Sequence, residues 1–115
     1  MAADPALIAW VAEALEPMGH VSSRRMMGGA TLYLDGTVFA IIAFDQLWFK
    51  ADAESDAIWD AEGCDRFTYE AKGKTMSMNY RRAPDVVHDD ADAMREWAGL
   101  AVQAGRRAPA KRRSR

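Results

Sequence analysis

Asp35-Gly36 is the feature that most narrows the folds open to this chain. A type I′ turn needs positive φ at both central residues, and Asp-Gly is among the few pairs that accept it. Before it, Leu32 and Leu34 alternate with Thr31 and Tyr33 over Ala30–Leu34. After it, Thr37–Phe44 is apolar on both faces, with Phe39, Ile41 and Ala43 on one and Val38, Ile42 and Phe44 on the other. The two segments read as a hairpin whose second strand is central and covered on both sides. A hairpin alone is marginal in water, so the rest of the chain must supply further strands and helical cover.

It does. Val21–Met27 leads into Gly28-Gly29 and forms a strand before the hairpin, while Asp45-Gln46 turns the chain into Leu47–Ala51. A second block alternates Phe67, Tyr69 and Ala71 with Arg66, Thr68 and Glu70. It turns at Lys72-Gly73 and returns with Met76, Met78 and Tyr80 against Thr75, Ser77 and Asn79. Helices flank these blocks. Asp4 caps and Pro5 opens a helix over 5–15, with Leu7, Ile8, Val11 and Leu15 on one face. Asp52 or Ser55 starts a short helix carrying Ala57, Ile58 and Ala61, closed by Gly63. Asp89-Asp90 starts a third, striped by Met94, Trp97, Ala98, Ala101 and Val102, with Gly105 as its stop. The fold class is therefore α+β: an antiparallel sheet of five to six strands in the order α-β-β-β(β)-α-β-β-α, with helices on one face. Three short helices do not suffice for both faces of such a sheet, so a partner subunit is expected on the second.

Charge divides the chain in two. Residues 1–105 carry nine Lys/Arg against seventeen Asp/Glu, whereas Arg106, Arg107, Lys111, Arg112, Arg113 and Arg115 follow with no acid. We expect a folded domain over 1–106 and a basic, disordered tail over 107–115, with Pro109 inside it. No apolar run approaches the ~20 residues of a membrane span, and the N-terminus lacks the basic lead of a secretory signal. Cys64 is the single cysteine, which excludes an internal disulfide. A small cytoplasmic protein is expected.

The stretch Arg24-Arg25-Met26-Met27-Gly28-Gly29, then Leu32-Tyr33-Leu34-Asp35-Gly36, Phe39-Ala40 and Leu47-Trp48-Phe49-Lys50, resembles the N-terminal domain of the TfoX/Sxy family of bacterial competence regulators. That pattern runs R-x-M-F-G-G, L-Y-x-D-G-x-x-F-A, L-Y-L-K. Phe67-Thr68-Tyr69, Gly73-Lys74, Met78-Asn79-Tyr80, Pro84 and Trp97-Ala98 extend the likeness across residues ~20–106. Met27 stands where the family usually has Phe, and Trp48 where it usually has Tyr. The resemblance implies an α+β regulatory domain without enzymatic activity, tied to transcription. Two-domain members continue into a helical domain and assist the cyclic AMP receptor protein at competence promoters.

The residues themselves offer little chemistry. Gly28-Gly29 fits neither G-x-G-x-x-G nor G-x-x-x-x-G-K and reads as a turn or bulge. His20, Cys64 and His88 share no ligand spacing, and no nucleophile–base pair is recognisable, so no catalytic, cofactor or metal residues are assigned. Arg24 and Arg25 before the glycines, and Arg81 and Arg82 after the last strand, are candidates for a small-anion or enzyme site if they converge. The tail cations, Arg106, Arg107, Lys111, Arg112, Arg113 and Arg115, are candidates for weak nucleic-acid contact. Met26, Met27, Met76 and Met78 lie on strands, where methionine suits adaptable binding surfaces as well as cores. The leading expectation is protein association, as a homodimer or with a transcription-related partner, and no membrane contact.

Overall fold

The computed structural model describes residues 4–26 and 28–108. Asp4 accepts a hydrogen bond from the Ala6 N–H at 2.9 Å, and with Pro5 in the first turn it starts α1, Pro5–Ala14. A 3-10 turn at Glu16–Met18 delivers the chain to a four-stranded meander: β1 Val21–Met26, β2 Gly29–Leu34, β3 Thr37–Ala43 and β4 Gln46–Lys50. Helix α2, Asp56–Glu62, ends at Gly63 in the left-handed region (φ 79°). The hairpin of β5, Arg66–Ala71, and β6, Lys74–Arg82, comes next. A 3-10 turn at Asp85–His88 then precedes α3, Ala91–Arg107, whose cap Asp90 accepts from the Asp92 and Ala93 N–H groups.

All six strands join one antiparallel sheet in the order β1-β2-β3-β4-β6-β5. The second hairpin docks through β6 onto β4, which leaves β1 and β5 as edges and β3 interior. Asp35 (φ 49°) and Gly36 (φ 88°) both take the positive φ that the type I′ reading required. β3 does not alternate perfectly, for a structural reason. Leu32 pairs with Ala40 but Tyr33 with Val38, so Phe39 is an extra, bulged residue. Phe39 and Ala40 consequently both turn into the main core.

That core lies between the sheet and the helices. Val11 of α1 and Leu15 at its C-terminal end, Trp59 of α2, and Met94, Ala98, Ala101 and Val102 of α3 pack on Leu32, Leu34, Phe39, Ile42, Leu47 and Phe49. All three helices feed this one cluster. On the opposite face a smaller cluster, Ile41, Trp48, Phe67 and Tyr80, forms without a helix among the described residues. The apolarity of β3 on both sides is thus explained, because each of its faces contributes to a different cluster.

Three local expectations need correction. The turn after β3 is Phe44-Asp45, not Asp45-Gln46: Ala43 pairs with Gln46, and Phe44 (φ 54°) and Asp45 (φ 62°) fill the two-residue loop. Gly105 does not stop α3. A β-carbon there would lie 2.1 Å from the Val38 carbonyl oxygen, so this glycine lets the helix approach β3 closely. The helix ends instead at Ala108 (φ −64°, ψ 142°), the residue before Pro109, where proline disfavours helical backbone. Arg107, counted above with the tail, is consequently helical; Lys111, Arg112, Arg113 and Arg115 lie outside the described residues, as does Met27.

Candidate functional site: the open face of the sheet

Residues paired across an antiparallel ladder share a face, so the register sorts every strand side chain. Ile41 pairs with Trp48, Trp48 with Arg82, Lys50 with Tyr80, Phe67 with Met78 and Tyr69 with Met76. All of these stand on the face away from the helices. Arg24 and Met26 of β1 stand there too, because Arg24 pairs with Thr31 and Thr31 with Ile41. The period-two run Met76, Met78, Tyr80 and its partner run Phe67, Tyr69 place a continuous apolar stripe on this side.

The stripe is organised by aromatic contacts. Trp48 meets Phe67 edge-on, with centroids 4.9 Å apart and planes at 81°, and its indole N–H donates to the Ala43 carbonyl at 3.1 Å. Phe67 continues to Tyr69 at 6.1 Å and to Phe44 at 5.7 Å. Phe44 is the unusual member. A phenylalanine in left-handed backbone costs roughly 1–2 kcal/mol, yet its side chain is 67% exposed and stacks on Phe67 over the open face. Met26, Gly28, Ala43, Phe44, Phe67, Tyr69 and Met78 together line a groove of about 630 Å³. Met26, Met76, Met78, Tyr69 and Phe44 are all exposed at this face, a concentration of large apolar side chains rather than scattered exposure. At the far end of β4, the Lys50 ammonium sits 5.1 Å from the Tyr80 ring, and burial pushes the Tyr80 hydroxyl pKa up.

The arginine pairs do not converge. β1 and β6 are separated by three strands, roughly 19 Å at the usual interstrand spacing. Within each pair the two side chains also part, since neighbours on a strand take opposite faces. Arg24 and Arg25 are both exposed on the edge strand. Arg81 turns under α2, is 3% exposed, and donates to Asp60 at 2.7 Å, to the Cys64 carbonyl at 2.9 Å and to Asp56 at 3.2 Å. It is a structural cation holding α2 to β6. Arg82 takes the open face and reaches Asp65 at 4.0 Å.

The remaining candidates are equally separate. Cys64 is buried, and desolvation raises its thiol pKa, the opposite of what a nucleophile needs. The His20 backbone N–H donates to Asp35, and His88 lies in the 3-10 turn before α3. No group of three or more metal-ligating side chains comes together among the described residues. Of the tail cations, Arg106 is exposed, whereas Arg107 is bound by Asp52 at 2.7 and 2.8 Å and by Glu54 at 3.4 Å. Sequence reading singled out the methionines of this face but missed Phe44, Phe67 and Tyr69 as their companions. For Phe67 and Tyr69 the signal was present in their alternation. For Phe44 it was not, because the residue reads as the end of a strand.

Comparison with known proteins identifies a family. The sequence model of the family described as the TfoX N-terminal domain matches residues 13–105. A curated relative, the DNA transformation protein TfoX1 of Aliivibrio fischeri, is 27% identical over 66 residues, 57% of this chain and 32% of the relative. The aligned segment thus spans about a third of that relative's length.

Proposed function

We propose, from the premise that this chain belongs to the TfoX N-terminal domain family, that it is a regulatory module in competence-related transcription control and acts by protein association, without catalytic chemistry of its own. One observation carries the reading. The helices spend their apolar surface on one side of the sheet, and the other side presents a wide apolar groove rimmed by exposed methionine and aromatic side chains. Methionine is polarisable and unbranched, so such a surface adapts to a protein partner at little strain. Catalysis finds less support, since the arginine pairs are split across the sheet and the cysteine is buried.

The test is a comparison in the cells of origin. Wild-type chain and a Met76→Glu/Met78→Glu variant are expressed to equal levels, and the transcripts that respond are measured. Both methionines are about two-fifths exposed, so the variant keeps its fold, checked by its melting temperature. The response should be lost in the variant. An undiminished response would remove the open face from the function.

A further inference from the structure

Charge on the six strands is strongly biased. Their cations are Arg24, Arg25, Lys50, Arg66, Lys74, Arg81 and Arg82, and their one carboxylate is Glu70. Every other Asp and Glu of this acid-rich chain lies in helices, turns and loops. The register divides the strand charges further. Arg25, Arg66 and Arg81 take the helix side, and Glu70 goes with them, where it accepts from the Thr75 hydroxyl at 2.9 Å. The strand residues of the open face therefore carry Arg24, Lys50, Lys74 and Arg82 and no carboxylate. Arg24 stands two residues before the groove's Met26 on β1, about 7 Å along the strand, and Lys74 four before its Met78 on β6, about 13 Å, while the exposed Asp45 follows Phe44 in the β3–β4 turn. An apolar groove with a cationic rim, on a molecule that is otherwise anionic, has a specific complement.

We infer that the occupant of this face is an acidic amphipathic segment of another protein, with its apolar side chains in the groove beside Phe44, Phe67 and Met78 and its carboxylates toward Arg24 and Lys74. The inference rests on the reading of the open face as an association surface and names its partner. Helix-in-groove recognition supplies the apolar contacts, and rim charges of opposite sign supply orientation and on-rate. A second copy of this chain, the partner expected from sequence, would bring Arg24 and Lys74 against their own counterparts if the two open faces met, and like charges there oppose association. Single-stranded nucleic acid would find cations but poor stacking. Trp48, Phe67 and Tyr80 are each less than a tenth exposed, and the exposed rings Phe44 and Tyr69 share the face with Met26, Met76 and Met78.

The test uses the full chain and two synthetic amphipathic peptides, with leucine at every third and fourth position and either glutamate or lysine elsewhere. Binding is measured by fluorescence anisotropy at low and high salt, with labelled single-stranded DNA as a third probe and sedimentation of the chain alone as a control. The glutamate peptide should bind, weaken with salt, and exceed the lysine peptide by about ten-fold or more. An Arg24→Glu/Lys74→Glu variant, with both sites exposed and the fold checked by thermal melting, should reverse that preference. Met78→Glu should abolish binding. If both peptides bind equally and Met78→Glu abolishes both, the partner's charge is wrong while the association surface stands. If no peptide depends on Met78, the surface itself falls. DNA binding that Arg24→Glu/Lys74→Glu removes, or self-association through Met78, would each replace the acidic segment with that occupant.

Discussion

Arg81 and Arg82 are adjacent in sequence and differ in every physical respect. Strand geometry sends one under α2 and the other to the open face, so their roles follow from register rather than from residue type. Removing Arg81 leaves Asp56 with Arg66 alone, at 3.5 Å, and takes the cation from Asp60. Those carboxylates are 28% and 67% exposed, so they rehydrate, and the loss is milder than for a sealed ion pair. Arg81→Met should cost about 1–3 kcal/mol in urea unfolding. Arg82→Met should stay within about 0.5 kcal/mol, since its contact with Asp65 is long and exposed. Equal effects of the two substitutions would mean that the β4–β6 register is not the one described. From sequence the pair was legible only as a pair; which arginine is buried needed the partner strand.

At the scale of elements, most of the fold was legible because its signals are local. Asp4-Pro5, Asp35-Gly36, Gly63 and Asp90 each act within a few residues, and the structure uses all four. What failed was punctuation that depends on distant backbone. Gly105 looked like a helix stop, since glycine at that point of an apolar stripe commonly ends one. Its real reason, the Val38 carbonyl on β3, is remote in sequence. The two glycines of α3 therefore make opposite predictions. At Gly99 an added β-carbon meets only the Met18 side chain at 3.8 Å, an ordinary contact. Gly99→Ala should stabilise by about 0.5–1 kcal/mol through helix propensity and a less flexible unfolded chain. Gly105→Ala gains the same propensity but drives α3 off β3, and a net loss of about 1–3 kcal/mol should appear in thermal or urea unfolding. Stabilisation at both sites would show that α3 does not approach β3 so closely in solution. The Phe44-Asp45 turn was missed for a related reason. A bulky residue in left-handed backbone is chosen by its stacking on Phe67, which propensity cannot anticipate.

The whole molecule is a two-layer sandwich left open on one side. That openness was anticipated by counting helical cover, whereas the groove, its cationic rim and the separation of the arginine pairs emerged only once strand order was known. One closure spans the chain ends of the helical layer. Arg107, the last residue of α3, is clamped by Asp52 in the loop between β4 and α2, so the folded unit extends past the 1–106 boundary expected from charge. The Arg107 hydrogen bonds hold the Asp52 carboxyl at about 2, below its ordinary value of 3.8. A carboxylate with a depressed folded-state pKa contributes stability that is present above its unfolded pKa and lost as pH falls through the folded one. The clamp should therefore act in full above about pH 5 and fade between about pH 4 and pH 2. Asp52→Asn keeps an oxygen that can accept from the Ser55 N–H but removes the charge. Its melting temperature should lie modestly below wild type at neutral pH and converge with it toward pH 2. A fragment ending at residue 105 lacks Arg107, so Asp52→Asn should have much less effect in that background. A fragment ending at residue 108 should respond as the full chain does. This cycle isolates one pair, because each single change removes the same contact. If Asp52→Asn costs as much in the shorter fragment as in the full chain, or its cost does not vary between pH 5 and pH 2, Asp52 stabilises the fold through Ser55 and its own loop, and Arg107 belongs with the tail.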